Sequence, residues 1–238
     1  MSEWFSDPFF VNRQEVNRMH TNIAAAPAEF RIPENMQEKW QRIVNIMARV
    51  LEVPAGLIMK VDPPYIEVFL KSDSEGNPYE RGERASLDTG LYCETVMQER
   101  QRLLVPDALD DPEWDHNPDI KLGMTFYLGF PIEWPNGDIF GTICVLDGKN
   151  NESARVYTDL IEQFKEVIDN DLRLIVEIEE RKRAERQLQS KKEELEGFNK
   201  ILVDREMVII EMKEEVNELC RKLNMAPKYE EVWKQPLS

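Results

Sequence analysis

Between Ser153 and Gly197 the chain contains neither glycine nor proline, and after Pro135 the next proline is Pro227. A stretch of that length without a helix breaker, opened by a residue suited to an N-cap, persists as one helix. Its apolar residues repeat every seven positions. One heptad position reads Leu174, Arg181, Leu188, Leu195, Leu202, Ile209, Val216 and Leu223, apolar everywhere except Arg181. The position three residues on reads Glu177, Ala184, Lys191, Phe198, Arg205, Met212 and Leu219, which completes a weaker second row of a coiled-coil seam. From Leu160 to Ile178 the helix also fits one lying along its own domain. Beyond Arg181 a rod rising about 1.5 Å per residue outruns a small domain, so its stripe needs a second chain. The expectation is a parallel homodimer held by residues 174–223.

A formal charge of -16 leaves no broad basic surface to neutralise phosphates, which argues against nucleic acid and against anionic membranes as partners. The run Glu179 to Arg186 reads as a solvated helix face. No basic start followed by an apolar stretch opens the chain, and no window approaches the roughly 18 apolar residues of a membrane-spanning helix. Cys93, Cys144 and Cys220 are odd in number and far apart in sequence, so neither a disulfide framework nor a paired-thiolate zinc motif is written. The chain as given is expected to be cytoplasmic.

The first 33 residues, with the aromatic cluster Trp4, Phe5, Phe9 and Phe10, form an N-terminal arm to which no chemistry is assigned. From Pro33, Trp40, Ile43, Val44, Ile46, Met47, Val50 and Leu51 recur at helical spacing until Val53-Pro54 ends the helix. Gly56 to Val61 and Tyr65 to Leu70, separated by Pro63-Pro64, read as paired strands. Ser72 to Arg84 is a polar loop with Gly76-Asn77-Pro78 at its tip. Leu91 to Arg100 is a short helix, and Leu103 to Asp107 a strand that Pro106 must stop. Asp110 to Asn117 is a loop. Thr125 to Trp134 and Ile139 to Asp147 are strands joined by Pro135-Asn136-Gly137-Asp138, a strong hairpin signal. The fold class is α+β, five strands with helices upon them. Domains are expected at 34–178, with a coiled coil over 179–225 and a tail over 226–238.

Four segments carry a family resemblance: Gly90-Leu91-Tyr92-Cys93-Glu94-Thr95-Val96, Leu104-Val105-Pro106-Asp107-Ala108, Tyr127-Leu128-Gly129-Phe130-Pro131-Ile132 and Phe140-Gly141-Thr142-Ile143-Cys144-Val145-Leu146-Asp147. In order and spacing they resemble the core of GAF sensory domains over roughly residues 36–178. Glu179 to Glu185 and Phe198 to Leu223 resemble the helical linkers of bacterial and archaeal sensor proteins. The resemblance implies a GAF-like (profilin-like) antiparallel sheet of six strands, flanked by the first and last helices, with a small-molecule pocket on its other face. It places that pocket between the sheet and Leu91 to Met124, with Tyr92, Cys93, Asp107, Trp114, Asn117, Phe126 and Tyr127 as its candidate residues.

Output chemistry is not written in this chain. Its two histidines are His20, in the arm, and His116, in an Asp-rich loop, so no helical phosphoacceptor histidine is present. Neither a Gly-rich phosphate loop nor a cyclase motif occurs. A separate kinase or other output protein would supply catalysis, and the chain itself is expected to be no enzyme. One GAF subfamily reduces free methionine sulfoxide with clustered cysteines, and Cys93 resembles one of them. The partner expected within Asp115 to Met124 is missing, which leaves the relay incomplete. A thiol anchors haem or bilin in some members of that family, a role the resemblance opens to Cys93; the alternative is a small buried residue that packs a short helix. Asp107, Asp111, Glu113, Asp115 and Asp119 lack the spacing of a calcium loop. The expected function is a ligand sensor that signals through its coil; the rival is a dimerising scaffold with a collapsed pocket.

Overall fold

The computed structural model describes residues 31–151 and 156–230. Most of the expected arm, the N-cap residue Ser153 and tail residues 231–238 lie outside the described residues. Among those described, three α-helices and six strands form two compact units, one ending at Ile178 and the other beginning at Glu179.

Helix α1 spans Glu34–Leu51 and buries Trp40, Ile43, Val44, Met47, Ala48 and Leu51 along one face, the stripe its 3.6-residue period dictates. It stops at Glu52, which takes a left-handed conformation (φ 54°) two residues before Pro54. Strands β1 (Ala55–Asp62), β2 (Tyr65–Lys71), β3 (Arg84–Ser86), β4 (Leu103–Val105), β5 (Phe126–Glu133) and β6 (Ile139–Asp147) make one antiparallel sheet in the order β3-β2-β1-β6-β5-β4. Helix α2 spans Tyr92–Glu99, a 3-10 turn spans Pro118–Leu122, and α3 runs from Thr158 to Lys222.

The apolar runs predict five strands, and the six that the resemblance implies occur, because Arg84–Ser86 pairs with β2 at the sheet edge. That strand has no apolar alternation of its own and exists through its neighbour's backbone groups. Strand β4 ends at Val105, stopped as expected by Pro106, which offers no N–H to continue a ladder. The β5–β6 hairpin turns where Asn136-Gly137 stands. Gly137 takes φ 87°, and its N–H donates to Trp134 O at 2.9 Å.

Strand alternation divides the core into two layers. On one face Ile58, Leu70, Phe126, Leu128, Phe130, Phe140, Ile143 and Val145 pack against α1 and the first turns of α3, through Ile161, Ile168, Leu172 and Ile175. Trp40 is fully buried there, edge-on to Phe69 and Phe140, with its Nε1–H donating to Asp171 Oδ2 at 2.8 Å. Lys39 Nζ bonds the other oxygen of Asp171 at 2.8 Å, so a carboxylate in the apolar layer ties α1 to α3. On the opposite face Leu57, Met59, Ile66, Val68, Tyr127, Cys144 and Leu146 meet α2 and its loops.

After Ile178 the expected seam residues are largely solvent-facing in the single chain. Leu188, Leu195, Phe198, Leu202, Met212, Leu219 and Leu223 are all more than half exposed, whereas Ile209 and Val216 are half-buried. Near its end Asn217 accepts from Tyr229 N–H at 3.0 Å and donates to Tyr229 O at 2.9 Å, which folds the following segment back along the helix.

Candidate functional site

A cavity of about 270 Å³ opens on the face opposite α1 and α3. Its walls are Leu57 and Met59 of β1, Ile66 and Val68 of β2, Ala85 of β3, Leu91 and Cys93 at the start of α2, and Cys144 and Leu146 of β6. Polar groups come from the loops, namely Tyr79, Glu83, Asp119 and Lys121. Leu122 and Lys121, both exposed, form the rim.

Side-chain clamps hold those loops. Glu94, buried in the first turn of α2, accepts from the backbone N–H groups of Asp88, Thr89 and Leu91 and so fixes the approach to the helix. Asn117 donates to Gly90 O at 2.8 Å and accepts from Asp119 N–H at 2.9 Å, seating the 3-10 turn against that same approach. On the other side Lys71 Nζ holds Tyr79 O at 2.7 Å, and Asn77 Oδ1 takes Tyr79 N–H at 3.1 Å. The result is a bond across 40 residues of sequence, Tyr79 Oη donating to Asp119 Oδ1 at 2.9 Å.

Burial pushes the Asp119 carboxyl up to about 6; the Tyr79 hydrogen bond opposes that rise and nearby Glu83 adds to it. Burial and Asp119 raise Tyr79, and burial raises Tyr92 and Tyr127, so all three phenols stay neutral donors near pH 7. Because Asp119 binds its proton more tightly folded than unfolded, its contribution to stability is complete below the ordinary aspartate range and is lost as pH rises through about 6. Relative to Asp119→Asn, the natural chain should therefore lose on the order of 2 kcal/mol between pH 4 and pH 7. Urea unfolding of both at the two pH values checks this, and parallel profiles would contradict it.

The seven residues expected to line the pocket take different places. Cys93 lines the cavity. Tyr92, Trp114 and Tyr127 come together beside it, with Tyr92 stacked on Tyr127 at 4.8 Å and tilted against Trp114 at 5.3 Å. Asn117 anchors the wall, while Asp107 lies half-buried and caps the turn that follows it by accepting from Leu109 N–H. Phe126 is a correction: it packs in the layer beneath α1, because neighbouring residues of a strand face opposite sides and Tyr127 takes the cavity side.

Tyr79, Glu83, Lys121 and Cys144 are not among the residues that the sequence singles out for the pocket. Only Cys144 left a usable signal. The hairpin register sets it opposite Gly129, hence on the side where Tyr127 points. Gly129 has no Cβ, and a Cβ there would collide with the Tyr127 ring. The bare backbone lets the phenol lie along the strand and reach Cys93 Sγ at 3.4 Å.

Small-molecule pockets measure roughly 300–1,000 Å³, and at about 270 Å³ this one lies just below that range. Among the described residues no three His, Cys, Asp or Glu side chains are grouped to hold a metal ion, and no helix is long and apolar enough to cross a membrane.

Sheet order, the flanking helices and the cavity on the far face define an α+β domain of the GAF-like kind. The GAF domain family model matches residues 35–170, more than half of the chain, and the chain belongs to that family. Among solved structures it is similar to the PixJ GAF domain of Thermosynechococcus elongatus in its blue-light absorbing form, at 16% identity and a TM-score of 0.51 over 65% of this chain and 93% of that one. It is also similar to the GAF domain of an Acinetobacter phosphoenolpyruvate-protein phosphotransferase, at 13% identity and a TM-score of 0.47 over 71% and 92%. A third is the type II free methionine-R-sulfoxide reductase of Thermoplasma acidophilum, at 9% and 0.47 over 60% and 95%. No curated protein matches the chain in sequence.

Proposed function

We propose that this chain is a non-enzymatic sensory module of the cytoplasm that binds one small, mostly apolar molecule and relays its presence through a dimeric coiled coil. The cavity carries the reading. Its walls are aliphatic and sulfur-bearing, and its polar end is the Tyr79–Asp119 pair, so the occupant is a compact apolar molecule with a hydrogen-bond donor for the carboxylate.

The domain, residues 34–178, detects the molecule; the coil over 179–225 pairs with a second copy in parallel register and hands the signal to a separate output protein. Self-pairing is favoured because the seam, repeated in an identical chain, sets an apolar residue against its own like at every level of the main row except Arg181. A bound molecule changes the coil only to the extent that it prefers one helix packing over another.

Val68→Phe tests the ligand site, since the added ring fills the cavity while its strand position keeps an apolar residue. Native mass spectrometry of the full chain, purified without denaturation, is expected to show a bound small molecule on the natural protein and none on the variant. Equal retention by both, or an empty natural chain after screening a metabolite extract, overturns the site.

A further inference from the structure

Two of the three cysteines share the wall of the cavity. Cys93 reaches it from the first turn of α2, and Cys144 from β6, 51 residues later, between Leu57 and Gly129 of the neighbouring strands. Cys93 Sγ accepts from Thr142 Oγ1 at 3.3 Å and lies 3.4 Å from Tyr127 Oη, and Cys144 is the next residue after Thr142 on that same face of β6. Both side chains are otherwise enclosed, so whatever reaches them comes through the cavity. We propose that Cys93 and Cys144 are a redox-active pair, which a small hydroperoxide entering the cavity converts to an intramolecular disulfide.

The surroundings assign the roles. Its neighbour Cys144, with the hydroxyls of Thr142 and Tyr127, draws the Cys93 thiol down against the upward pull of burial. Cys93 in turn, together with burial, pushes Cys144 up. A place in the first turn of a helix favours a thiolate further. Cys93 is thus the attacking sulfur and Cys144 the resolving one. In the first step the Cys93 sulfur bonds to one hydroperoxide oxygen, the O–O bond breaks, and the departing alkoxide takes the Cys93 proton and leaves as an alcohol. Cys93 is now a sulfenic acid. In the second step the Cys144 sulfur attacks it, the S–O bond breaks, and the released hydroxide takes the Cys144 proton to form water. Two thiols and one hydroperoxide give a disulfide, an alcohol and water. An external dithiol reverses the change by exchange.

The disulfide would draw the start of α2 onto β6 and convert the sulfur end of the cavity from hydrogen-bonding thiols to a bridge. The inference goes beyond ligand sensing and stands or falls separately from it, because it concerns two protein sulfurs and no retained molecule.

The full chain carrying Cys220→Ser, which removes the remaining thiol, is treated with a modest excess of hydrogen peroxide, quenched with an alkylating reagent and digested without reduction. The expected result is an intact mass lower by two hydrogen atoms, a cross-linked peptide pair containing Cys93 and Cys144, and return to two alkylated thiols after dithiothreitol. With Cys144→Ser added, Cys93 is expected to stop at a sulfenic acid that dimedone traps. Oxidation of Cys93 to sulfinic acid without a cross-link while Cys144 is present overturns the pair. So does survival of both thiols at a dose that oxidises Cys220 in the natural chain.

Discussion

Trp40→Ala is expected to lower the unfolding free energy by about 3–5 kcal/mol, the cost of emptying a large aromatic site in a packed core. The indole is fully buried and meets Phe69 and Phe140 edge-on at 6.2 and 5.8 Å, so its removal leaves a void bordered by two rings that the sheet holds in place. It also takes a donor from Asp171, whose carboxylate keeps Lys39. Trp40→Phe separates the two contributions. It retains much of the packing but leaves a buried carboxylate short of a partner, at about 1–3 kcal/mol. Urea unfolding followed by circular dichroism measures both; a loss below 1 kcal/mol for the alanine variant would mean that α1 is not anchored at this point.

The joint substitution Leu195→Asp and Leu202→Asp is expected to convert a dimer to a monomer at micromolar concentration. Both leucines belong to the main heptad row and are more than half exposed in the single chain, so their burial depends on a partner. Burying a leucine contributes about 1.5–3 kcal/mol. Four are lost across a dimer, and four carboxylates take their place in an apolar seam. The domain up to Ile178 has its own two-layered core and should keep its circular dichroism and melting behaviour. Light scattering reads the mass directly, and a variant that remains a dimer would move the interface elsewhere in the chain.

Periodicity made much of the fold legible. Trp40, Val44, Met47 and Leu51 mark α1 by spacing alone, and Asn136-Gly137 locates the hairpin whose two strands are buried almost throughout. Edge strand β3 could not be read in that way, since Arg84–Ser86 is held by pairing with β2 and shows no pattern of its own. The cavity was legible only in part. Cys93 sits in a recognisable segment, whereas Tyr79 and Asp119 meet through a bond that spans 40 residues and leaves no periodic trace. Asp119 was hidden among the acidic residues of a solvated loop, although burial makes it unlike the others. Phe126 and Tyr127 show the reverse case: strand geometry allows only one of two neighbours to face the cavity, a constraint present in the sequence itself.

The central claim is that the state of the cavity alters the coil, and amide hydrogen exchange over residues 179–222 tests it most directly. The full-length natural chain, stripped of any bound molecule, is compared with Val68→Phe, whose ring stands in permanently for an occupant. Protection along a helical seam follows how firmly its two helices pack. The account predicts a difference in exchange over 179–222 between the two proteins, at equal dimer mass and with the domain folded in both. Identical exchange throughout that segment, with the cavity shown to be filled in the variant, would contradict it.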